Sequence, residues 1–150
     1  MLVTPAVNRQ NLFAATAAAL FIGVLFAVAG WWVHWLWVGL LLVPVVFWWM
    51  RRRCLRRRRV MAQPFPPAWE AILRSRVAYY NALQNDDARD RFRQLVKIFL
   101  DETRITGIRT DVDETTRVLV AASAIIPVFH FPHWEYTRLG EVLIYPGSFD

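Results

Sequence analysis

The hydrophobic and polar positions divide the chain into a long uncharged run and a later part with helical periodicity. The run extends from Leu12 to Met50 and holds 39 residues without a charged side chain, 33 of them apolar. One helical pass through a bilayer needs about 20 residues. The run therefore predicts two transmembrane helices at about residues 11–29 and 32–50, folded as a hairpin behind a cytoplasmic terminus of residues 1–10.

Tryptophan placement agrees with a hairpin whose turn lies near Gly30, because indole rings favour the headgroup region. Pro44 is expected to kink the second helix, which contacts between helices tolerate. The tryptophans group at the expected turn and at the far end of the second helix: Trp31, Trp32, Trp35, Trp37, Trp48 and Trp49.

An alternative interpretation treats Leu12–Ala29 as a cleaved signal sequence and leaves Trp31–Met50 as the single anchor. The tripeptide Ala27-Val28-Ala29 fits the small-residue cleavage pattern. Only Arg9 precedes the run, so the basic region expected of a signal is weak. Both interpretations leave the rest of the chain in the cytoplasm.

Beyond residue 67 the pattern predicts a small helical domain. Residues 51–67 form a basic juxtamembrane segment and a proline-rich linker, and Pro67 suits the first turn of a helix. A break at 85–87 supplies the cap of a second helix that runs to about Glu102. The apolar faces of the two helices recur at helical spacing: Trp69, Ile72, Leu73, Val77 and Tyr80, then Phe92, Leu95, Val96 and Phe99.

A third helix and two extended segments complete residues 68–150. Asp111–Asp113 caps a helix whose body, Val118–Ile126, is apolar nearly all round and too short to span a bilayer. Ile105–Ile108 is a short extended or turn segment, and Val142–Tyr145 is the clearest strand, closed by a Pro146-Gly147 turn. The predicted fold class is a membrane-anchored α+β protein, a two-helix transmembrane hairpin followed by a small helix-dominated α+β domain.

Charge is distributed as unevenly as hydrophobicity. The first 69 residues carry eight basic side chains and no acidic one, and all 12 acidic residues lie from Glu70 onward. The positive-inside rule makes the arginine-rich side cytoplasmic, which predicts a multi-pass inner or plasma membrane protein with a cytoplasmic domain. Seven arginines are expected to fix this topology and to contact lipid headgroups: Arg51, Arg52, Arg53, Arg56, Arg57, Arg58 and Arg59.

Nucleic-acid binding is an alternative use of these arginines, but such a run normally belongs to a soluble domain, so the expected partner is the bilayer and no nucleic acid.

Taken alone, the chain offers no catalytic or metal-binding residues. Glycines are scattered, so no phosphate loop forms, and a single cysteine excludes paired thiolate ligands. His34 lies in the hydrophobic region beside Trp35, where an interfacial role is favoured. His130 and His133 resemble a metal pair, but Pro132 prevents the continuous helix of a zincin site. The acidic residues at 111–114 are explained by helix capping rather than by a hard cation.

The later half nevertheless resembles a known family. The stretches that carry the resemblance are Arg91–Leu100, Ile105–Ile108, Arg117–Pro127, Trp134 and Glu141–Phe149. They resemble the amino-terminal half of the Mlc titration factor A family, the glucose-regulated zinc metallopeptidases, over about Pro67 to Asp150. Glu-Val-Leu-Ile-Tyr-Pro with a following Phe is the most specific part. We assign structural motif roles to seven residues: Arg117, Pro127, Trp134, Glu141, Tyr145, Pro146 and Phe149.

The resemblance implies a zinc peptidase of the gluzincin kind. In such an enzyme a His-Glu-x-x-His helix and a downstream glutamate bind zinc, and the helix glutamate activates water. No His-Glu pair occurs in this sequence. We therefore expect the amino-terminal part of a membrane-tethered peptidase, an incomplete gluzincin that is inactive alone and binds no zinc itself.

The rival hypothesis is a non-catalytic membrane protein that docks a cytoplasmic partner. The resemblance makes a transcriptional regulator or a separate catalytic half the expected partner. The aromatic-rich ending further predicts a contiguous exposed apolar surface around Val118–Ile126 and Val142–Phe149.

Overall fold

The computed structural model describes residues 4–32, 40–131, 136 and 139–147, with the side chains of residues 30–32 excepted. The chain divides between Arg59 and Val60 into two compact units. The first unit contains the apolar helix and the arginine run, and the second contains the mixed helix and strand domain. We describe each unit by itself.

Two helices make up the described part of the first unit. Helix α1 spans Pro5–Trp32 and α2 spans Leu42–Ala62. Within the described residues, α1 is the one helix long and apolar enough to cross a bilayer, and its most apolar 18 residues have a mean hydropathy of 2.5. The same test is passed by signal sequences and by buried helices.

The predicted hairpin of two transmembrane helices is wrong. Helix α1 continues through Gly30 instead of turning there, because glycine is tolerated within apolar helices. Helix α2 has only nine uncharged residues, Leu42–Met50, before the arginine run, which is about 13 Å of helix. The predicted sites His34, Trp35 and Trp37 lie outside the described residues.

The arginine run is helical and belongs to α2. It continues α2 without a break as far as Ala62, because arginine is a good helix former. Pro44 occupies the first turn of α2, where its missing N–H does not interrupt the helix, so the expected kink is not needed.

The second unit begins its helices where the sequence predicts. Helix α3 spans Pro67–Arg76 with Pro67 in its first turn, as expected. It ends at Val77, whose extended backbone (φ −114°, ψ 93°) separates it from the short helix α4 at Ala78–Ala82. The continuous apolar face predicted from Trp69 to Tyr80 is therefore shared by two helices.

Helices α5 and α6 confirm the predicted caps. Helix α5 spans Asp86–Glu102, and the Asn85 side chain accepts a hydrogen bond from the Asp87 amide at 2.9 Å. Helix α6 spans Glu114–Ile125, and Asp113 accepts one from the Thr116 amide at 2.8 Å. Each cap satisfies a backbone N–H that the helix itself leaves without a partner.

The core lies where α3, α5 and α6 meet. Its aromatic centre is Phe92, which contacts the rings of Tyr80, Tyr79 and Phe129 at 5.6–6.1 Å between centroids. Helix α6 ends in the 3₁₀ turn Ile126–Val128, which delivers Phe129 to this cluster. The fully buried aliphatic members come from all three helices: Leu73, Val96 and Val118.

A two-stranded parallel sheet follows α5. Strand β1 spans Arg104–Gly107 and β2 spans Glu141–Ile144, with Arg104 opposite Glu141 and Gly107 opposite Ile144. Parallel strands require a crossover connection, and here α6 lies within it. Both strands fall within one residue of their predicted positions.

The predicted exposed apolar surface is found on β2 but not along the whole of α6. Leu143 is 46% exposed and Tyr145 is 43% exposed, whereas Phe149 lies outside the described residues. On α6, Val118 and Ile125 are buried, because that side of the helix packs on α3 and α5.

Candidate functional site

Five of the seven arginines predicted to meet lipid headgroups are exposed on α2. The other two, Arg51 and Arg57, are buried. Arg52 lies over the ring of Trp49 at 5.5 Å, and Arg51 lies over Phe47 at 5.9 Å. The exposed arginines are Arg52, Arg53, Arg56, Arg58 and Arg59.

Two asparagines of α1 contact the segment where the arginine run begins. Arg51 Nη2 donates to Asn8 Oδ1 at 3.1 Å, and the thiol of Cys54 donates weakly to the same oxygen at 3.7 Å. Asn11 Nδ2 donates to the Met50 carbonyl at 3.5 Å. These polar contacts lie within the first unit and set the amino end of α1 beside the start of the run.

A cavity of about 220 Å³ lies in the second unit, between the linker, α5 and α6. We call it the Lys97 cavity. One wall is apolar and is built by Pro64, Pro66 and Trp69, while the charged lining residues are Lys97, Asp101 and Arg117.

Lys97 is a buried cation that sequence reasoning did not identify. Lys97 belongs to α5 and is 5% exposed. Its ammonium donates to the carbonyl of Gln63 at 2.5 Å and to that of Met61 at 3.2 Å. Burial lowers the pKa of Lys97. The sequence does carry a signal of this burial, because Lys97 is the single charged residue in the otherwise apolar stretch Leu95–Leu100.

A second polar cluster, centred on Glu70, ties three helices together. The Glu70 carboxylate accepts hydrogen bonds from Tyr80 of α4, from Arg74 Nε at 2.8 Å and from Arg93 Nη1 of α5 at 3.2 Å. Arg93 also pairs with Asp90. Burial acts to raise the pKa of Glu70, but the three hydrogen bonds outweigh it and hold that pKa below its ordinary value. Because its hydrogen-bond partners are residues of α3, α4 and α5, Glu70 has a structural role.

The motif residues taken from the family resemblance do not gather at one point. Arg117 lines the Lys97 cavity, and Pro127 is exposed in the 3₁₀ turn. Glu141 begins β2 and accepts a hydrogen bond from the Thr106 hydroxyl at 2.6 Å. Tyr145 and Pro146 follow β2 and are exposed. The remaining two, Trp134 and Phe149, lie outside the described residues.

Of the two histidines suggested as a metal pair by the sequence, the structure describes only His130. His130 Nε2 is 3.0 Å from the Tyr79 hydroxyl, and His130 is exposed next to Phe129. His133 lies outside the described residues. Across residues 4–32, 40–131, 136 and 139–147, no three His, Cys, Asp or Glu side chains gather into a group that could hold a metal ion.

Comparison with known proteins gives one curated relative and one family. The uncharacterized protein slr2042 of Synechocystis sp. is 28% identical over 95 residues, which are 63% of this chain and 34% of that protein. This chain thus spans about a third of the length of the curated relative it matches. No solved structure matches the chain.

The family match starts in α2 and takes in all of the second unit. Residues 48–150 match the family described as glucose-regulated metallo-peptidase M90. This match covers most of the chain and confirms the resemblance at the level of the family. The protein belongs to the glucose-regulated metallo-peptidase M90 family.

Proposed function

We propose that this chain is the amino-terminal, membrane-anchored part of a zinc-dependent peptidase and is inactive by itself. The observation that carries the proposal is the family match over residues 48–150 in a chain that lacks a zinc-binding helix. The relative is about three times as long as the aligned part, which leaves room for a catalytic region elsewhere in such proteins.

The zinc that the family implies does not fit the residues of this chain. A catalytic zinc needs three protein ligands, usually histidine and a carboxylate. The sequence has no His-Glu-x-x-His, and no suitable group of three ligands occurs among the described residues. We therefore assign no residue of this chain to metal binding or to catalysis, and zinc belongs to the complete family member.

Metal analysis of the purified full chain tests the proposal. We expect substoichiometric zinc after dialysis and no zinc-dependent hydrolysis of a peptide library. One tightly held zinc per chain would contradict it. The sequence encoded after Asp150 is an independent test, because a His-Glu-x-x-His there supports a divided peptidase. Unrelated sequence there would instead favour the rival, a membrane-bound protein that docks a catalytic half or a regulator.

The proposed anchor is α1, with the exposed arginines of α2 at the cytoplasmic headgroups. Apolar side chains such as Phe13, Leu20 and Phe21 are exposed along α1, as they would be in lipid. The Asn8–Arg51 hydrogen bond supports an amino end of α1 on the same side as the arginines. The positive-inside rule makes that side cytoplasmic, together with the domain that follows.

Cysteine labelling in intact cells tests this topology. In a Cys54→Ser chain, a cysteine introduced by Thr4→Cys should resist a membrane-impermeant maleimide until the cells are opened. Labelling in intact cells would contradict a cytoplasmic amino end. Charge reversal at the five exposed arginines should expose the introduced cysteine. Arg76→Glu, in the second unit, is the matched control and should leave labelling unchanged.

A further inference from the structure

The Lys97 cavity holds a positive charge that no residue in the described part of the chain neutralises. Buried lysines are almost always paired with an opposite charge, because removing an ammonium from water is unfavourable. Both partners of the Lys97 ammonium, the carbonyls of Met61 and Gln63, are neutral. No ion pair to Lys97 is found within the described part of the chain. The ammonium has three N–H groups, so one remains beyond these two hydrogen bonds.

Arg117 adds a second cation to the same lining. It is exposed on α6, and no described side chain forms a hydrogen bond or an ion pair with its guanidinium. A guanidinium presents paired N–H groups that match the two oxygens of a carboxylate. Lys97 and Arg117 therefore supply the hydrogen-bond donors that an anion requires. Neither side chain forms an ion pair with a residue in the described part of the chain.

The remaining lining decides which anion fits. The lining holds the cations Lys97 and Arg117 and a single acidic residue, Asp101, so its charges favour an anion, and the paired N–H groups of Arg117 match a carboxylate. The apolar wall of Pro64, Pro66 and Trp69 suits a carbon-containing group rather than an inorganic ion. A volume of about 220 Å³ is below the range of about 300–1,000 Å³ found for drug-sized ligands.

We propose that the Lys97 cavity binds a small organic carboxylate. The carboxylate lies between the Lys97 ammonium and the Arg117 guanidinium, and the apolar part of the ligand packs against Trp69 and the prolines. Either a free acid or the terminal carboxyl group of a peptide supplies this chemistry. The site is separate from the zinc chemistry, so it stands whether or not the proposed peptidase function holds.

A titration with benzoate tests the proposal. Benzoate is added to the full chain in detergent micelles, and the NMR signals of the tryptophan indole N–H groups are followed. Sodium chloride at equal ionic strength is the reference. We expect saturable shifts with benzoate, and a loss of affinity of about tenfold in Arg117→Gln, as a charge-assisted pair implies. Arg76→Gln, an exposed arginine outside the cavity, should change affinity by less than about twofold.

Further arms separate the possible outcomes. Lys97→Met should also weaken benzoate binding, and if that variant misfolds, the exposed Arg117→Gln still decides the question. A short peptide with a free carboxyl terminus is compared with the same peptide as its amide to identify the source of the carboxylate. Tighter binding of the free-carboxyl peptide assigns the site to a peptide terminus. Equally weak binding of the two peptides assigns it to a free acid. No saturable benzoate binding, tighter binding of phosphate, or an equal effect of Arg76→Gln would each overturn the proposal.

Discussion

Tyr80 donates its phenolic hydrogen to Glu70, whose two carboxylate oxygens lie 2.9 and 3.0 Å from the tyrosine oxygen. Tyr80 is 1% exposed and packs against Phe92 in the core. Burial raises the pKa of Tyr80, and the hydrogen bond to Glu70 raises it further, so the phenol stays protonated as a donor. The pair joins α3 to α4 across the extended break at Val77.

Replacing Glu70 by Gln should destabilise the second unit by about 1–3 kcal/mol, because Tyr80 and Arg93 lose a charged acceptor in a partly buried site. The measurement is urea unfolding of the full chain in detergent, followed by near-ultraviolet circular dichroism. Asp111→Asn, an exposed carboxylate, is the control and should stay within about 0.5 kcal/mol. Equal stability of the two variants would show that the cluster contributes nothing.

Acid should weaken the second unit through the same carboxylate. The folded-state pKa of Glu70 is lowered, so its contribution to stability is complete above its unfolded value of about 4.5. That contribution is lost as the pH falls through the lowered folded-state pKa, where the proton binds even in the native protein. The free energy of unfolding, measured from neutral to acidic pH, should fall less steeply in Glu70→Gln than in the parent. Parallel curves would contradict the assignment.

The aromatic centre of the core should be the most sensitive packing position. Phe92→Ala removes a fully buried ring that contacts Tyr79, Tyr80 and Phe129, and it should destabilise the unit by about 3–5 kcal/mol. Leu143→Ala, on the exposed face of β2, should lose less than about 1 kcal/mol. Thermal unfolding of both variants in the same detergent compares them, and a larger loss for Leu143→Ala would contradict the location of the core.

The turn after β1 should not accept a side chain at Gly107. A Cβ there would overlap the Thr110 carbonyl and lie 2.9 Å from the Val112 side chain, so Gly107→Ala should cost about 1–3 kcal/mol. Gly140→Ala is the matched control, since a Cβ at Gly140 meets nothing within 4 Å. Unfolding midpoints of the two variants give the comparison. Similar midpoints would mean that the turn is looser than the geometry indicates.

Local signals in the sequence were sufficient for several elements of the second unit. Asn85 and Asp113 act on amides two or three residues away, so their capping roles are visible without knowledge of the fold. The apolar spacing of α5 is equally local, as Phe92, Val96 and Phe99 share one helix face. The pairing of β1 with β2 depends on distant contacts, and no local pattern specified that the strands are parallel.

Other features escaped prediction for identifiable reasons. The helical spacing of apolar residues from Trp69 to Tyr80 continues across Val77. The spacing therefore gives no sign that the backbone becomes extended at Val77. Gly30 resembled a turn residue, although an uncharged apolar run carries no mark of where a helix ends. Lys97 was not identified because its acceptors, the Met61 and Gln63 carbonyls, are backbone atoms outside α5.

The crossover between β1 and β2 also sets the order in which the second unit assembles. No tight hairpin can join parallel strands, so the ladder cannot close until α6 and the residues after it have been drawn into position. The strand pair should thus be the last part of this unit to form and the first to open. In deuterated water, the amides of Arg104 and Ile108, which donate to the Gly140 and Ile144 carbonyls across the pair, should exchange well before those of Val96 and Phe99, whose helix needs no such distant partner.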